Sequence, residues 1–585
     1  MHKNIRFGIL FFRMEIVWGI MSRGLKRIFD IRKNLSVSVL SLTYTLLLLF
    51  GAGYMQNGNA KFVTDHPVRS TIILVALFIF FRAAILFLFR LLDKYRPKGH
   101  HQTSKLQTIY DKHPFMISML IILLFWLPYI ISFYPAILSP DPSFQIRQYF
   151  GIPNKYSEYS VMIDPNVTIT NHHPVVHTLL LGTALKLGNL AGNDNFGLFL
   201  YSIIQISVLS GVLAFTLSYM KKINVSYRYR IAVLLMYGLV PMFPFYAMSA
   251  VKDVIFTALF VLYTILIYHL TRNRTADLKA KHLVLIILLL ILLLLFRNNG
   301  FHIVLLSFPF LILVSKKNLK KLLLVFVLFL AFNYSHNNLI LPAFKVTPGS
   351  IREMLSIPFQ QTARYVKYHS DNLTDEEYAI YDKILDMSDL AERYKPEISD
   401  PVKKKYNKYT TNEELKEYFK YWFKDLSKDP GLYVDATINN VYGYFYPPKT
   451  SWYIYNTYDT RIVDNGFNYH FNNLEDSREL LSIFGLAFPY FPILGLVSNI
   501  GFNTWLLFLL ATYFIYKKKV RGIVYLVPSF VVLLVCVASP VNTYFRYAMP
   551  YIFCMPTIIA LFINYLKGSE RDEEKQNSSF NPLLQ

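Results

Sequence analysis

Between two long apolar stretches the chain carries a polar loop, residues 137–173, with a carboxylate near one end and paired imidazoles at the other. It opens Ile137-Leu138-Ser139-Pro140-Asp141-Pro142 and closes Asn171-His172-His173, just before Pro174. Ionisable groups are expensive to hold so near a bilayer, and are therefore candidates for function. Asp141 has the chemistry of a general base, or of a metal-binding carboxylate, acting on an acceptor hydroxyl. It equally suits the N-cap of a helix opening at Pro142, and a cap leaves one carboxylate oxygen free, so the two readings are compatible. His173 and His177 have the i, i+4 spacing of a zinc pair. The glutamate of the zincin motif is missing and no third ligand is near. Substrate hydrogen bonding or a structural role is thus the stronger expectation for His172, His173 and His177, and no metal site is assigned.

Other polar groups interrupt the apolar sequence: Lys252-Asp253, Arg297-Asn298-Asn299-Gly300 and Arg546-Tyr547. The lysine and aspartate could make only local contacts, and the arginines could snorkel to an interface. Guanidinium forks also bind phosphate oxygens bidentately. Two arginines and a lysine beside a carboxylate therefore point to a lipid-linked phosphate or pyrophosphate with a base held nearby.

These residues need a membrane scaffold to bring them together. Of 585 residues, 54% are hydrophobic and 16% aromatic, which predicts an all-α polytopic membrane protein. The formal charge of +23 falls largely in short loops between spans, where it sets topology, so nucleic acid is not an expected partner. Cys536 and Cys554 both lie in apolar segments, which leaves a disulfide framework or thiolate metal site without support. Apolar spans are expected at about 35–53, 70–92, 113–136, 197–219, 230–248, 251–270, 281–296, 301–315, 319–335, 502–516, 522–538 and 548–566. The basic clusters, among them Lys221-Lys222, Lys316 to Lys321 and Lys517 to Arg521, all fall inside if 174–192 lies along the outer interface. The segment 482–498, broken by Pro489 and Pro492, is not counted as a span either.

The result is about 12 spans with both termini cytoplasmic. Residues 1–34 read as a basic cytoplasmic lead-in and 35–335 as a transmembrane domain with an outer loop at 137–196. Residues 336–480 read as a mainly helical outer domain, 481–566 as the last membrane helices, and 567–585 as a cytoplasmic tail. Within the outer domain Thr411-x-x-Glu414 predicts a capping box. It precedes an apolar stripe of Leu415, Tyr418, Phe419, Trp422, Phe423 and Leu426. Asp429-Pro430 predicts a further helix start. The aromatic run Tyr442–Pro448 with Trp452, Tyr453 and Tyr455 suits an interfacial belt, a domain core, or stacking on sugar rings. On this topology Asp141, the three histidines, Lys252-Asp253, Arg297 and Arg546 share one face of the membrane.

At these residues the chain resembles the GT-C superfamily, multipass glycosyltransferases that use polyprenyl-phosphate sugars. An acidic residue in the first large outer loop followed by an interfacial helix is matched by Asp141 and by Asn171-His172-His173-Pro174 with 175–191. The likeness is nearest to an uncharacterised bacterial branch. It rests on Ala250-Val251-Lys252-Asp253, Phe296-Arg297-Asn298-Asn299-Gly300, Pro358-Phe359-Gln360-Gln361-Thr362-Ala363-Arg364-Tyr365 and Phe545-Arg546-Tyr547, over roughly residues 110–560. The resemblance implies that Asp141 deprotonates an acceptor hydroxyl while Lys252, Arg297 and Arg546 hold the leaving lipid phosphate. Asp253, Asn298, Asn299 and Tyr547 join the histidines as candidate substrate-binding residues. The implied partners are a polyprenyl-phosphate sugar donor, a glycan or lipid acceptor and membrane lipids, at the outer face of a bacterial cytoplasmic membrane. Asp141 is not part of an Asp-x-Asp pair, and a divalent cation is the one cofactor left open. Two other functions fit such a set: a polysaccharide polymerase or ligase using lipid-pyrophosphate oligosaccharides, and a lipid-linked glycan flippase.

Overall fold

A computed structural model describes residues 34–94, 104–160, 162–274, 277–451, 453–456 and 460–579, with backbone alone at 460 and 568–579. The basic lead-in expected over 1–34 therefore lies outside the described residues except for Asn34, as does the end of the expected tail beyond Ser579. Among the described residues the regular structure is helical, and strand pairing is confined to isolated bridges. Eight helices are long and apolar enough to cross a membrane: Leu35–Asn57, Pro67–Lys94, Pro114–Ser132, Asp194–Lys222, Lys252–Arg272, Lys316–Ala343, Val520–Val537 and Phe545–Lys567. The protein is a multi-pass helical membrane protein.

The remaining expected spans are also helices, of different form. The segment expected as one span at 230–248 is a pair, Tyr227–Leu239 and Met242–Met248, bent by 50°. Pro241 stands at the break, where it removes a backbone donor and crowds the preceding turn. Ala280–Phe296, Gly300–Val314 and Ile500–Tyr516 are apolar but only 15 to 17 residues long. At 1.5 Å per residue each is roughly 22–26 Å, short of a hydrocarbon core of about 30 Å.

Val175–Leu190 is a 16-residue helix. Leu181, Leu185 and Gly188 are buried on one side, while Leu179, Leu187 and Leu190 are exposed on the other. A side chain at Gly188 would collide with the Gly197 backbone, so the paired glycines let this helix lie directly on Asp194–Lys222. The segment 482–498 is broken: the helix Glu475–Ala487 gives way to short 3-10 turns at Phe488–Tyr490 and Leu494–Val497.

Residue contacts divide the chain into two units. In the unit Met1–His101 with Phe508–Val520, Leu35–Asn57 and Pro67–Lys94 form a helical hairpin. Arg82 is buried within it and donates to Ser38 Oγ. Phe89 packs edge-on to Tyr513, with ring centroids 4.8 Å apart.

The second unit, Gln102–Leu507 with Arg521–Gln585, contains the polar loop and a helical subdomain with its own core. That core gathers Phe359, Ala363, Tyr381, Ile384, Leu390, Val402 and Tyr418. The expected caps form: Thr411 accepts from Glu414 N while the Glu414 carboxylate accepts from Thr411 N, and Asp429 accepts from Leu432 N. The apolar stripe is narrower than its sequence suggests, since Leu415 and Tyr418 are buried while Phe423 is 62% exposed.

Candidate active site

The loop after Pro114–Ser132 is fixed by backbone before any side chain acts. Ile137 and Ser249 form an isolated parallel bridge, with Ile137 N donating to Met248 O at 2.8 Å and Ala250 N donating to Ile137 O at 3.0 Å. Each segment then enters a helix, Pro140–Tyr149 on one side and Lys252–Arg272 on the other. Asp141 and Lys252 are thereby delivered to one place. The helix begins at Pro140 rather than Pro142, with Ser139 as its N-cap. Asp141 thus sits in the first turn and turns its carboxylate to basic side chains instead of capping.

Arg546 Nη1 lies 2.9 Å from Asp141 Oδ2, and Lys252 Nζ lies 3.6 Å from the same oxygen. Arg546 Nε is 3.6 Å from Asp253 Oδ2, whose other oxygen is 2.6 Å from Arg297 Nη1. Asp253 is fully buried, Arg297 and Arg546 nearly so, and Asp141 is 21% exposed. Three cations face two carboxylates here, so the centre carries one positive charge in excess. Tyr547 packs against both guanidinium groups, with Arg297 5.2 Å and Arg546 5.5 Å from its ring centroid. Burial by itself would push the Asp141 carboxyl up, but Arg546 and Lys252 outweigh it and hold the group well below the usual carboxylate range.

Lys252 donates to His173 Nδ1 at 2.8 Å. An ammonium only donates, so Nδ1 accepts and the ring hydrogen of neutral His173 is carried on Nε2. That nitrogen lies 4.0 Å from Asp141 Oδ1, is buried, and has no hydrogen-bond partner among the described residues. His172 stacks on Tyr156, with ring centroids 3.9 Å apart and planes 19° from parallel. Burial lowers the pKa of both imidazoles, that of His172 to about 3.

Arg546 is positioned by the loop before it. Ser399 N donates to Pro540 O and Asn542 N to Glu397 O, each at 2.8 Å, while Asn440 donates its amide to Ser539 O at 2.7 Å. Gly443 N donates to Asn542 Oδ1 at 2.9 Å. A Cβ at Gly443 would collide with Thr543 Oγ1, and Thr543 itself has φ 55°. The helical subdomain therefore holds this loop in place by its backbone.

Asp141, His172, His173, Lys252, Arg297, Asn298, Asn299, Arg546 and Tyr547 all line one cavity of about 1980 Å³. Asn298 also donates to Asn171 O at 2.7 Å, tying the two ends of the site together. Two expected residues are not among the lining residues. His177 is buried between Gln145 Oε1, at 3.1 Å, and the Tyr201 hydroxyl, at 2.7 Å. Asp253 acts behind the wall as counter-ion to both arginines. His173 and His177 thus face different partners and do not form a two-imidazole site. Among the described residues no group of three or more His, Cys, Asp or Glu is arranged around a common point that could hold a metal ion.

The motif Pro358–Tyr365 lies apart from the cavity. Phe359 and Ala363 are in the subdomain core, and Arg364 pairs with Asp435 at 3.1 Å. In the aromatic run Tyr455 reaches the cavity wall beside Tyr544, while Tyr453 is buried and its carbonyl accepts from the Tyr246 hydroxyl. Trp452 lies outside the described residues. Sequence reasoning missed Tyr156 and the charged residues Lys155, Arg352, Glu353, Lys403 and Arg461, all of which line the cavity. Arg352-Glu353 was visible as an adjacent opposite-charge pair, but nothing in the spacing ties it to Asp141.

No protein of curated function and no solved structure matches the chain. One family model does, over residues 25–578, which takes in the site and nearly all of the chain. The protein belongs to DUF6020, a family of unknown function.

Proposed function

We propose that this protein is a membrane glycosyltransferase. It would move a sugar from a polyprenyl-phosphate donor to an envelope glycan, teichoic acid or lipid on the outer face of a bacterial cytoplasmic membrane. The observation that carries this reading is Asp141 held 2.9 Å from Arg546 and 3.6 Å from Lys252 in the wall of a large cavity. Twelve spans, counting the bent pair and the three shorter apolar helices, with the basic loops kept inside, would put that cavity outside. Val175–Leu190 then lies along the outer interface as a lid.

In the reaction the acceptor hydroxyl attacks the anomeric carbon as the bond from that carbon to the phosphate oxygen breaks. The hydroxyl proton passes to Asp141, and the polyprenyl phosphate leaves with the bonding electron pair. Arg297, Arg546 and Lys252 stabilise the charge growing on the leaving phosphate, where screening by water is weak. A carboxylate clamped by an arginine and a lysine is a poor base. Donor phosphate competes with Asp141 for those same two cations, so binding the donor raises the basicity of Asp141 at the moment a base is needed. The His173 Nε2–H, buried and unpaired, is placed to donate to a phosphate or sugar oxygen. An apolar wall of Leu306, Val531, Leu534 and Val535 offers the polyprenyl chain a surface beside the charges.

Comparing the envelope glycans of cells with and without the protein tests this reading. Loss of one sugar substituent from an otherwise intact polymer is the expected result. A shortened or absent polymer would instead identify a polymerase, and unchanged glycans would remove the transferase reading.

A further inference from the structure

The cavity is about twice the upper size of an ordinary small-ligand pocket, which is roughly 300–1,000 Å³. A second group of charges lines it on the side of the helical subdomain. Glu353 is gripped by Arg352 Nε at 3.0 Å and Lys403 Nζ at 2.6 Å, and both cations are buried. The construction repeats the Asp141 centre: one carboxylate clamped by one arginine and one lysine. His172, on its Tyr156 platform, lies within the electrostatic reach of both carboxylates.

Among the described lining residues cations outnumber carboxylates. Lys155, Lys404 and Arg461 also line the cavity and are exposed. Lys155 and Arg461 both approach the Phe144 ring, at 4.9 and 5.0 Å from its centroid. The Lys404 carbonyl accepts from the Tyr159 hydroxyl at 2.7 Å, and Arg352 packs over the Tyr159 ring at 3.4 Å. Among the described residues the cavity wall sets Glu353, Glu158 and Asp400 against these five cations, while Asp141 is held by Arg546 and Lys252. A purely structural role suits Arg352 and Lys403, which are buried and paired. Exposed cations on a cavity wall instead raise its potential and concentrate anions there.

We propose that this second end is an anion-binding subsite for the acceptor, and that the acceptor is a phosphate-bearing glycan chain. The proposal rests on reading the Asp141 centre as the transfer site. Lys155, Lys404 and Arg461 take successive phosphates of the chain, the aromatic pair Tyr156–His172 lies along its path, and one of its hydroxyls reaches Asp141.

The test uses the full-length protein in phosphatidylcholine nanodiscs, with fluorescent oligo(glycerol phosphate) as the probe and maltohexaose as its neutral counterpart. The phosphate oligomer should bind, weaken steeply with added salt, and lose at least ~10-fold in affinity in the variant Lys155→Gln/Lys404→Gln/Arg461→Gln. Asp141→Asn should bind the probe as well as the wild type or better. Equal binding of maltohexaose, or unchanged affinity in the triple variant, overturns the subsite. Displacement of the probe by phosphatidylglycerol introduced into the discs also overturns it, because the cations would then serve a lipid headgroup. Probe binding without any sugar transfer would defeat the transferase reading alone, whereas transfer to a neutral acceptor without probe binding would defeat this inference alone.

Discussion

Arg546 touches Asp141 with one guanidinium nitrogen and Asp253 with another, at 2.9 and 3.6 Å. One side chain therefore couples the partly buried carboxylate of the cavity to the fully buried one behind it. Lys252 shares with Arg546 the same oxygen of Asp141, and Arg297 takes the other oxygen of Asp253. Whatever draws Arg546 away from Asp141 changes the charge seen by both.

Replacing Asp141 with asparagine keeps the shape of the side chain and removes the proton acceptor. Transfer should fall by at least about 100-fold, the usual contribution of a positioned base. Membrane insertion and yield should match the wild type, because the site keeps its packing. Wild-type incorporation of labelled sugar by this variant would remove Asp141 from the chemistry.

Truncating Arg546 to alanine should cost about 1–3 kcal/mol, since it takes the nearest cation from Asp141 and the more distant of two from buried Asp253. Thermal unfolding in detergent reads the loss. Adding Asp141→Asn to the truncation should recover part of it, and a double variant no more stable than Arg546→Ala would show that the pair is not coupled. Arg546→Lys should fold better than alanine yet transfer poorly, because one ammonium cannot fork to two carboxylates.

Acid should loosen this region well above the carboxylate range. The His172 imidazole, held by burial at about 3 in the folded protein, takes its proton near 6.5 once unfolded. The unfolded chain thus binds the proton first, and stability falls as the pH drops from about 6.5 toward 3, by up to about 1.4 kcal/mol per pH unit. His173, also lowered by burial, adds to the same slope. His172→Gln should flatten the curve of unfolding midpoint against pH in that window, and an unchanged slope would refute the assignment.

Gly443→Ala forces a methyl group against Thr543 Oγ1 in the loop that carries Arg546. We expect about 1–3 kcal/mol of destabilisation, as for other overpacked sites, and a loss of transfer larger than that of a change at an exposed residue away from the cavity, such as Lys416→Gln. Transfer at the wild-type level would mean that the loop tolerates movement.

Much of this architecture could be read from residue order. The apolar stretches found helices because twenty or so unbroken apolar residues have few other ways to satisfy their backbone. Positive loop charge predicts only a shared side for Asp141, Lys252, Arg297 and Arg546; their meeting at one cavity is seen in the structure. What spacing did not give were contacts without a period. Glu353 meets Lys403 fifty residues later, and Tyr156 stacks on His172 through loop geometry, so no helical or strand repeat announces either. His177 misled for a related reason: the i, i+4 spacing from His173 implies a shared helix face, but His173 precedes the helix that carries His177. The motif Pro358–Tyr365 reads as functional in sequence, yet its side chains help to build the subdomain core, where shape rather than chemistry selects them.

The bridge between Ile137 and Ser249 gives the site an unusual tolerance to drift. Its two hydrogen bonds are made by main-chain atoms, so any residue that packs at these positions can replace the native one while the spacing of Asp141 from Lys252 is kept. Inserting or deleting a residue is different, since it would shift the pairing by a full step and separate the acid from its cation. Chains that keep this geometry should therefore vary at 137 and 249 among residues that fit a buried position, and hardly at all in the number of residues from each to the charge it carries.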